Sequence, residues 1–308
     1  MTDSIPSIAQ PGQQPLVSVI MNCYNGEKYL KEAIDSVLSQ TYPNWEIIFW
    51  DNQSTDRSAE MFKSYADERL KYYYAPKHTW LYEARNYAIE KASGEFIAFL
   101  DVDDWWLPGK LEKQVALFAD PETGLVCGNY WVESELKHKR WKFLKRPAPT
   151  GRVLNELLGF YSVGLPTLVI RRSALASLDY PCDPRYHIMG DFDLVVRLAV
   201  HWKLDCVQEP VAFYRLHGNN EMYKHRGRHI EELECWLKEM EKVEAIRSCS
   251  NFHYVQDSLI YLKAMHQVLQ ADRSGAYRLF HDLPYGQHKL KLLAALVLPA
   301  SVVRRLRN

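Results

Sequence analysis

From Leu16 onward, short apolar runs alternate with segments whose apolar residues recur at helical spacing. Residues 16–21 are largely apolar and end at Asn22, the pattern of a strand covered on both faces. Residues 27–40 place Leu30, Ala33, Ile34, Val37 and Leu38 along one helical stripe. The same alternation predicts strands over 46–50, 70–74 and 96–100, with helices over 58–65 and 82–92. Farther on, residues 125–132, 167–171 and 207–215 predict strands and 191–202 a helix. From Arg226 nearly every segment reads as helix.

Strands separated by helices of these lengths predict βαβ units: an α/β, doubly wound, mostly parallel sheet with helices on both faces. Ligands of such sheets collect beyond the C-terminal ends of the strands. Three polar clusters fall at those ends: Asn22 to Asn25, Asp51 to Ser54, and Asp101 to Asp104. Their common placement says more than any one of them. The organisation expected is a loose tail over 1–14, rich in Ser, Pro and Gln, a catalytic domain over 15–220, and a helical extension over 221–308.

Composition narrows the function. Lys plus Arg and Asp plus Glu both number 38, so no basic field argues for nucleic acid. The six cysteines form no C-x-x-C pair, which excludes the usual structural zinc and redox motifs. The first residues lack a basic start and an apolar stretch, and no run is long enough to span a bilayer. A cytoplasmic location is expected, with the thiols as small core residues.

Asp101, Asp103 and Asp104 close an apolar strand. Carboxylates so placed repel one another unless a cation neutralises them, and magnesium typically takes one or two carboxylates plus substrate phosphates. A nucleotidyltransferase would carry a Gly-rich basic loop after the first strand, and a dehydrogenase a G-x-G-x-x-G. The stretch Asn22-Cys23-Tyr24-Asn25-Gly26 is neither. The remaining rival is a catalytically silent nucleotide- or sugar-binding module, against which the presence of both Asp103 and Asp191 argues.

Several motifs in order carry a resemblance. They are the 17–26 segment, Ser36 to Pro43, Trp50 to Asp56, Ala84-Arg85-Asn86, and Gly94 to Asp104. Together they resemble the inverting family-two glycosyltransferases of GT-A fold, over roughly residues 15–220. The resemblance implies a nucleotide-sugar donor, a divalent metal (Mg2+ or Mn2+), and a glycan or lipid-linked acceptor of the kind used for cell-surface polysaccharide. It implies that Asn22 and Tyr24 lie against the base and ribose. Asp51 and Asn52 would hold the base edge, and Arg85 would sit near the nucleotide. Asp101 would face ribose and metal, Asp103 would be the principal metal ligand, and Asp104 would shape the loop. The family usually has two acidic residues followed by Gly-Ser where this chain has Asp51-Asn52-Gln53-Ser54. Many members also carry Glu where Gly190 stands.

By the same resemblance Asp191, at the start of the 191–202 helix, is the general base, and Asp193 with Arg197 at i, i+4 forms a supporting ion pair. His217, in Tyr214-Arg215-Leu216-His217, is a candidate metal or phosphate ligand. Trp80, Trp105 and Trp106 are acceptor or donor candidates, because sugar C–H faces rest well on aromatic rings.

Two segments touch on membranes. Residues 137–146 are basic and aromatic, and suit anionic headgroups or an acceptor diphosphate. Residues 283–308 contain no Asp or Glu and carry an apolar stretch between Lys289, Lys291 and Arg304, Arg305, Arg307. Such a tail is expected to lie on a membrane interface, making the protein peripheral at the inner face of the membrane.

Overall fold

The computed structural model describes residues 14–220, 225–299 and 302–303. The tail expected over 1–14 therefore lies almost wholly outside the described residues, as do Arg304, Arg305 and Arg307.

A nine-stranded sheet organises the chain. Its first half consists of β1 (Val17–Cys23), β2 (Trp45–Asp51), β3 (Leu70–Tyr74) and β4 (Phe96–Phe99), all parallel, in spatial order β3-β2-β1-β4. Cys23 pairs with Asp51 and Ile20 with Phe99, so the three polar clusters emerge at one edge. The second half mixes directions. It is built from β5 (Trp105–Trp106), β6 (Thr123–Ser134), β7 (Lys139–Lys142), β8 (Val169–Arg171) and β9 (Lys203–Leu216). Here β8 runs antiparallel to β4 and β6, and β5 antiparallel to β9. The long β6–β9 pair is parallel. The parallel character is thus confined more closely than the pattern predicts.

Alternation along the strands sends neighbours to opposite faces. Val17, Val19 and Met21 pack with α1 (Leu30–Leu38), through Leu30, Ala33, Ile34 and Val37. Ile20, Ile48 and Ile97 face the other way. They meet α3 (Leu81–Lys91) and α7 (Gly190–Ala199), which bring Ala84, Ala88, Leu194 and Leu198. Between these lie α2 (Ser58–Lys63), α4 (Lys110–Ala116), α5 (Leu154–Gly159) and α6 (Arg172–Leu175).

The later helices are not a detached appendage. On α8 (Arg226–Met240), Leu233, Trp236 and Leu237 pack against Met189 and Val196 of the α7 region and Leu158 of α5. After the short α9 (Glu244–Arg247), α10 (Phe252–Leu269) joins this cluster through Phe252 and Val255. Its far end forms a separate small core with α11 (Arg273–Asp282) and α12 (Gln287–Val297). Cys23, Cys127, Cys182 and Cys206 are buried free thiols, in keeping with core roles.

Candidate active site

The β1 end carries an unsatisfied amide. Asn22 is 8% exposed, and neither its Oδ1 nor its Nδ2 has a partner. Buried polar groups are nearly always bonded, so an orphan amide at a strand end marks a place for a ligand group. Tyr24 stands exposed next to it, its ring 4.5 Å edge-on from His78. Gly26 is a point of close approach: a Cβ there would lie 2.8 Å from Val102 Cγ2, so glycine lets the β1 loop touch the carboxylate loop.

The second cluster is tied into the scaffold. Asp51 is fully buried; its Oδ1 accepts the Ser54 N–H at 2.7 Å and its Oδ2 the Tyr72 hydroxyl at 2.6 Å. Asn52 donates to Thr79 O at 2.7 Å and accepts the Thr79 N–H at 3.2 Å. Both side chains serve the scaffold, tying the turn to β3 and to the loop ahead of α3. Gln53, where the family usually has glycine, is held at φ +69°, the left-handed region that favours glycine.

The third cluster is the electrostatic centre. Asp101 receives Arg85 Nη2 on Oδ1 at 2.5 Å. Arg85 is only 2% exposed, and its Nη1 has no partner. Asp103 Oδ2 lies 2.9 Å from His217 Nε2. The Asn219 N–H donates to His217 Nδ1 at 3.1 Å, so the neutral ring carries its proton on Nε2 and donates it to Asp103. Tyr29 stacks on that imidazole at 5.2 Å. Asp104 is the buried member. Its Oδ1 accepts the Arg215 N–H at 2.8 Å while Oδ2 is orphaned. Burial pushes its carboxyl well above the usual range, and the charges of Asp103 and Asp101 add to this. Arg215 also donates from Nε to Asp103 O at 2.9 Å, so β9 clamps the loop through two bonds.

Asp191 opens α7. Burial raises its carboxyl above the ordinary value; the nearby Arg85 charge, the Phe192 N–H and the Tyr82 hydroxyl pull it back down. Tyr82 donates to Asp191 Oδ1 at 3.2 Å. One turn apart on α3, Tyr82 and Arg85 thus address the two acidic stations, Asp191 and Asp101. The next residue, Asn86, clamps Cys182 in the segment leading to α7, donating to its O at 2.7 Å and accepting its N–H at 2.9 Å. The expected Asp193–Arg197 pair is present at 2.8 Å, with Trp236 Nε1 donating to Asp193 from α8 at 3.2 Å.

Two residues that no sequence motif marks are Tyr82 and Glu232. Glu232 of α8, 5% exposed, accepts the N–H groups of His187 (2.7 Å), Ile188 (2.8 Å) and Met189 (3.1 Å), fixing the residues that lead into Asp191. No local motif announces it, since the acid and the loop are over forty positions apart in the chain.

The aromatic candidates divide. Trp80 is 46% exposed, 4.6 Å edge-on from His187, with Arg228 4.3 Å over its ring. Trp106 is core: it is 2% exposed and its Nε1 donates to Pro166 O at 2.7 Å. Trp105 is stacked on Phe213 at 4.5 Å and also carries Arg215, so its faces are taken by protein. These two do not serve as sugar platforms. Within the 137–146 run, β7 (Lys139–Lys142) is an exposed hairpin edge, with Arg140 bonded to Glu133 at 2.6 Å and Lys142 over Trp131, while Leu144 is buried in the core.

A GT-A-type sheet with an acidic turn after β4 and an aspartate of raised proton affinity at a later helix start defines the class, and the comparisons agree. Residues 18–178 match the family described as Glycosyl transferase family 2, and the chain belongs to that family. A UDP-Glc:alpha-D-GlcNAc-diphosphoundecaprenol beta-1,3-glucosyltransferase, WfgD of Escherichia coli, is 36% identical over 166 residues. That match covers 54% of this chain and 64% of the relative, so the chain spans less than two thirds of that protein's length. Among solved structures, S. aureus TarS 1-349 in complex with UDP-GlcNAc superposes with a TM-score of 0.66 at 18% identity, covering 87% of this chain and 81% of the other. A mannosyltransferase, PcManGT of Pyrobaculum calidifontis, in complex with GDP-Man and Mn2+, gives 0.58 at 19%, covering 97% and 81%. At these identities the two structures establish a shared fold.

Proposed function

We propose that this chain transfers a sugar, with inversion, from a nucleotide-sugar to a hydroxyl of a lipid-linked or surface-polysaccharide glycan. The observation that carries this reading is the convergence on α3: Arg85 holds the donor-side carboxylate Asp101, while Tyr82 touches the base candidate Asp191. The WfgD name, with its diphosphoundecaprenol-linked acceptor, supports the acceptor class.

Asn22 and Tyr24 receive the base and ribose, and the orphan Asn22 amide supplies a donor and an acceptor for them. Among the described residues no three His, Cys, Asp or Glu side chains form a ready-made metal cage. A hard divalent ion would be held by Asp103, oriented by the His217 Nε2–H, with Asp101 beside it, and would complete its coordination with donor phosphates and water. When bound, such an ion supplies Lewis-acid neutralisation of the leaving diphosphate. Asp191 takes the acceptor proton, and its raised affinity for protons fits that task. Direct displacement from the face opposite the nucleotide inverts the anomeric centre and needs no enzyme nucleophile. Exposed Trp80 is the acceptor platform.

The same reading places α12 on the membrane. Its Leu292 and Ala295 face the small helical core, while Leu290 (68%), Leu293 (48%) and Val297 (73%) are exposed at i, i+3, i+7. No acidic residue occurs from Leu283 to Asn308, which complements an anionic lipid surface. No helix among the described residues is long and apolar enough to cross a membrane, so α12 would lie in the interface. Leu293→Asp/Val297→Asp is expected to abolish pelleting of the full chain with phosphatidylglycerol vesicles; unchanged pelleting ends the membrane reading.

The function itself is tested by incubating the chain with UDP-, GDP- and dTDP-sugars, divalent ion and a polyprenyl-diphosphate-linked GlcNAc acceptor, with products read by mass spectrometry. Asp191→Asn should bind donor as the wild type does and lose transfer by about 10²–10⁴-fold. Transfer at wild-type rate removes Asp191 from the reaction.

A further inference from the structure

We infer that Tyr82 is the positioning residue of the candidate base, and that position 190 is glycine because the Tyr82 ring occupies the space a side chain there would need. A Cβ on Gly190 would lie 2.5 Å from Tyr82 Cδ2 and Cγ and 2.6 Å from Cδ1. These are atoms of the ring body in a side chain that is 4% exposed, so the collision cannot be relieved by a swing of a flexible end. The inference rests on the reading of Asp191 as the base and deepens it.

Where the family pattern has two neighbouring acids, this chain supplies one acid from α7 and a phenol from α3. The phenol donates to Asp191 Oδ1 at 3.2 Å, and Arg85 lies 4.8 Å from the same ring, fixing it from behind. A hydroxyl bonded to a carboxylate does two things. It holds the carboxylate rotamer against the helix start, and it favours the ionised form, which is the form able to accept a proton. A neighbouring glutamate would do the reverse, since a like charge disfavours ionisation. The hydroxyl remains protonated throughout, because burial raises its own proton affinity well above the normal phenol value and the Asp191 charge adds to this.

The other groups facing Asp191 are accounted for. Arg85 of α3 favours its charge. Cys182 before α7, Tyr130 of β6 and Tyr161 after α5 also feel the carboxylate, and burial keeps all three protonated. The Tyr161 hydroxyl has no partner. Tyr82 is the residue whose hydroxyl reaches Asp191.

Tyr82→Phe isolates the hydroxyl while leaving the ring in place. The first readout needs no substrate: the Asp191 carboxyl is titrated by 13C NMR in the full chain, with its signal assigned by its loss in Asp191→Asn. The titration is expected to move up by about one pH unit, the tenfold shift a single lost hydrogen bond to a charged group can produce. The acid limb of kcat against pH should move with it, with KM for the best nucleotide-sugar of the panel unchanged. Gly190→Ala tests the space. It should lower the melting midpoint in the wild type and cost little in a Tyr82→Ala background. An Asp191 titration in Tyr82→Phe that superimposes on the wild type overturns the inference while leaving the base reading intact. Wild-type transfer by Asp191→Asn overturns the base reading, whatever Tyr82→Phe does.

Discussion

Asp103 meets His217 and is partly exposed, whereas Asp191 meets Tyr82 and the Arg85 charge. Both are aspartates at the end of a regular element, yet their surroundings suit opposite tasks. The 101–104 turn gathers three carboxylates and surrounds them with donors, namely Arg85, Arg215 and His217. Such a cluster suits a cation, while burial raises the proton affinity of its inner member, Asp104. The α7 start isolates one carboxylate where burial raises its proton affinity. Such a site can exchange a proton. The difference teaches that it is the environment, and not the residue type, that separates a metal ligand from a base.

The comparison breaks most easily at Asp103. Asp103→Ala should cut kcat/KM by about 10²–10³-fold, and isothermal titration should lose the divalent-ion dependence of donor binding. Asp191→Asn should keep that dependence. If both variants lose donor binding equally, the two stations are not distinct.

A smaller effect is expected from the support of Asp191. Glu232 receives three N–H groups from the residues before α7, and hydrogen bonds to a charged acceptor are worth about 1.5–3 kcal/mol each. Glu232→Gln keeps the shape and removes the charge. It should lower kcat by about tenfold with donor KM unchanged, and lower the unfolding free energy by about 1–3 kcal/mol. A donor KM that rises instead would mean that α8 supports the metal side.

The pH profile sharpens the same contrast. Asp191 is protonated below its raised value and cannot accept a proton there. The rate should therefore fall on acidification at a pH above the ordinary carboxylate range of about 4. Tight binding of a nucleotide-sugar measured in parallel should not follow that limb. A rate that stays flat down to pH 4 would contradict a buried base.

Legibility in the sequence follows the range of the forces involved. β1 to β4 and their polar ends could be read because strand periodicity and the residue at a strand's C-terminus are local properties. The short Ala84-Arg85-Asn86 motif marks Arg85 only through a family resemblance; its bond to Asp101 is a finding of the structure. β5 could not be read, since two tryptophans carry no periodicity and only pairing with Phe213 and Ala212 makes them a strand. That same pairing took Trp105 and Trp106 away from any sugar. Tyr82 and Glu232 were invisible because their partners lie far along the chain, at Asp191 and at 187–189. Asp51 carries a scaffold role the sequence does not show: its oxygens accept from the Ser54 N–H and the Tyr72 hydroxyl, partners three and twenty-one positions away.

The smallest effect tests the donor edge, where the backbone rather than a charge is special. Gln53 sits at φ +69°, and a non-glycine residue there carries a steric cost of roughly 1–2 kcal/mol. Gln53→Gly removes that cost. It also frees the unfolded chain by roughly 0.4–1 kcal/mol and gives up the Nε2 bond to Ala75 O at 3.3 Å, so the net gain in stability is expected to stay below about 1 kcal/mol. Gln53→Ala keeps the strain and loses the bond, and should fall below the wild type. Chemical denaturation should therefore rank glycine at or above glutamine and alanine last. A ranking with alanine above glycine would mean that the turn relaxes away from the left-handed conformation, and that the departure from the family's glycine costs this chain nothing.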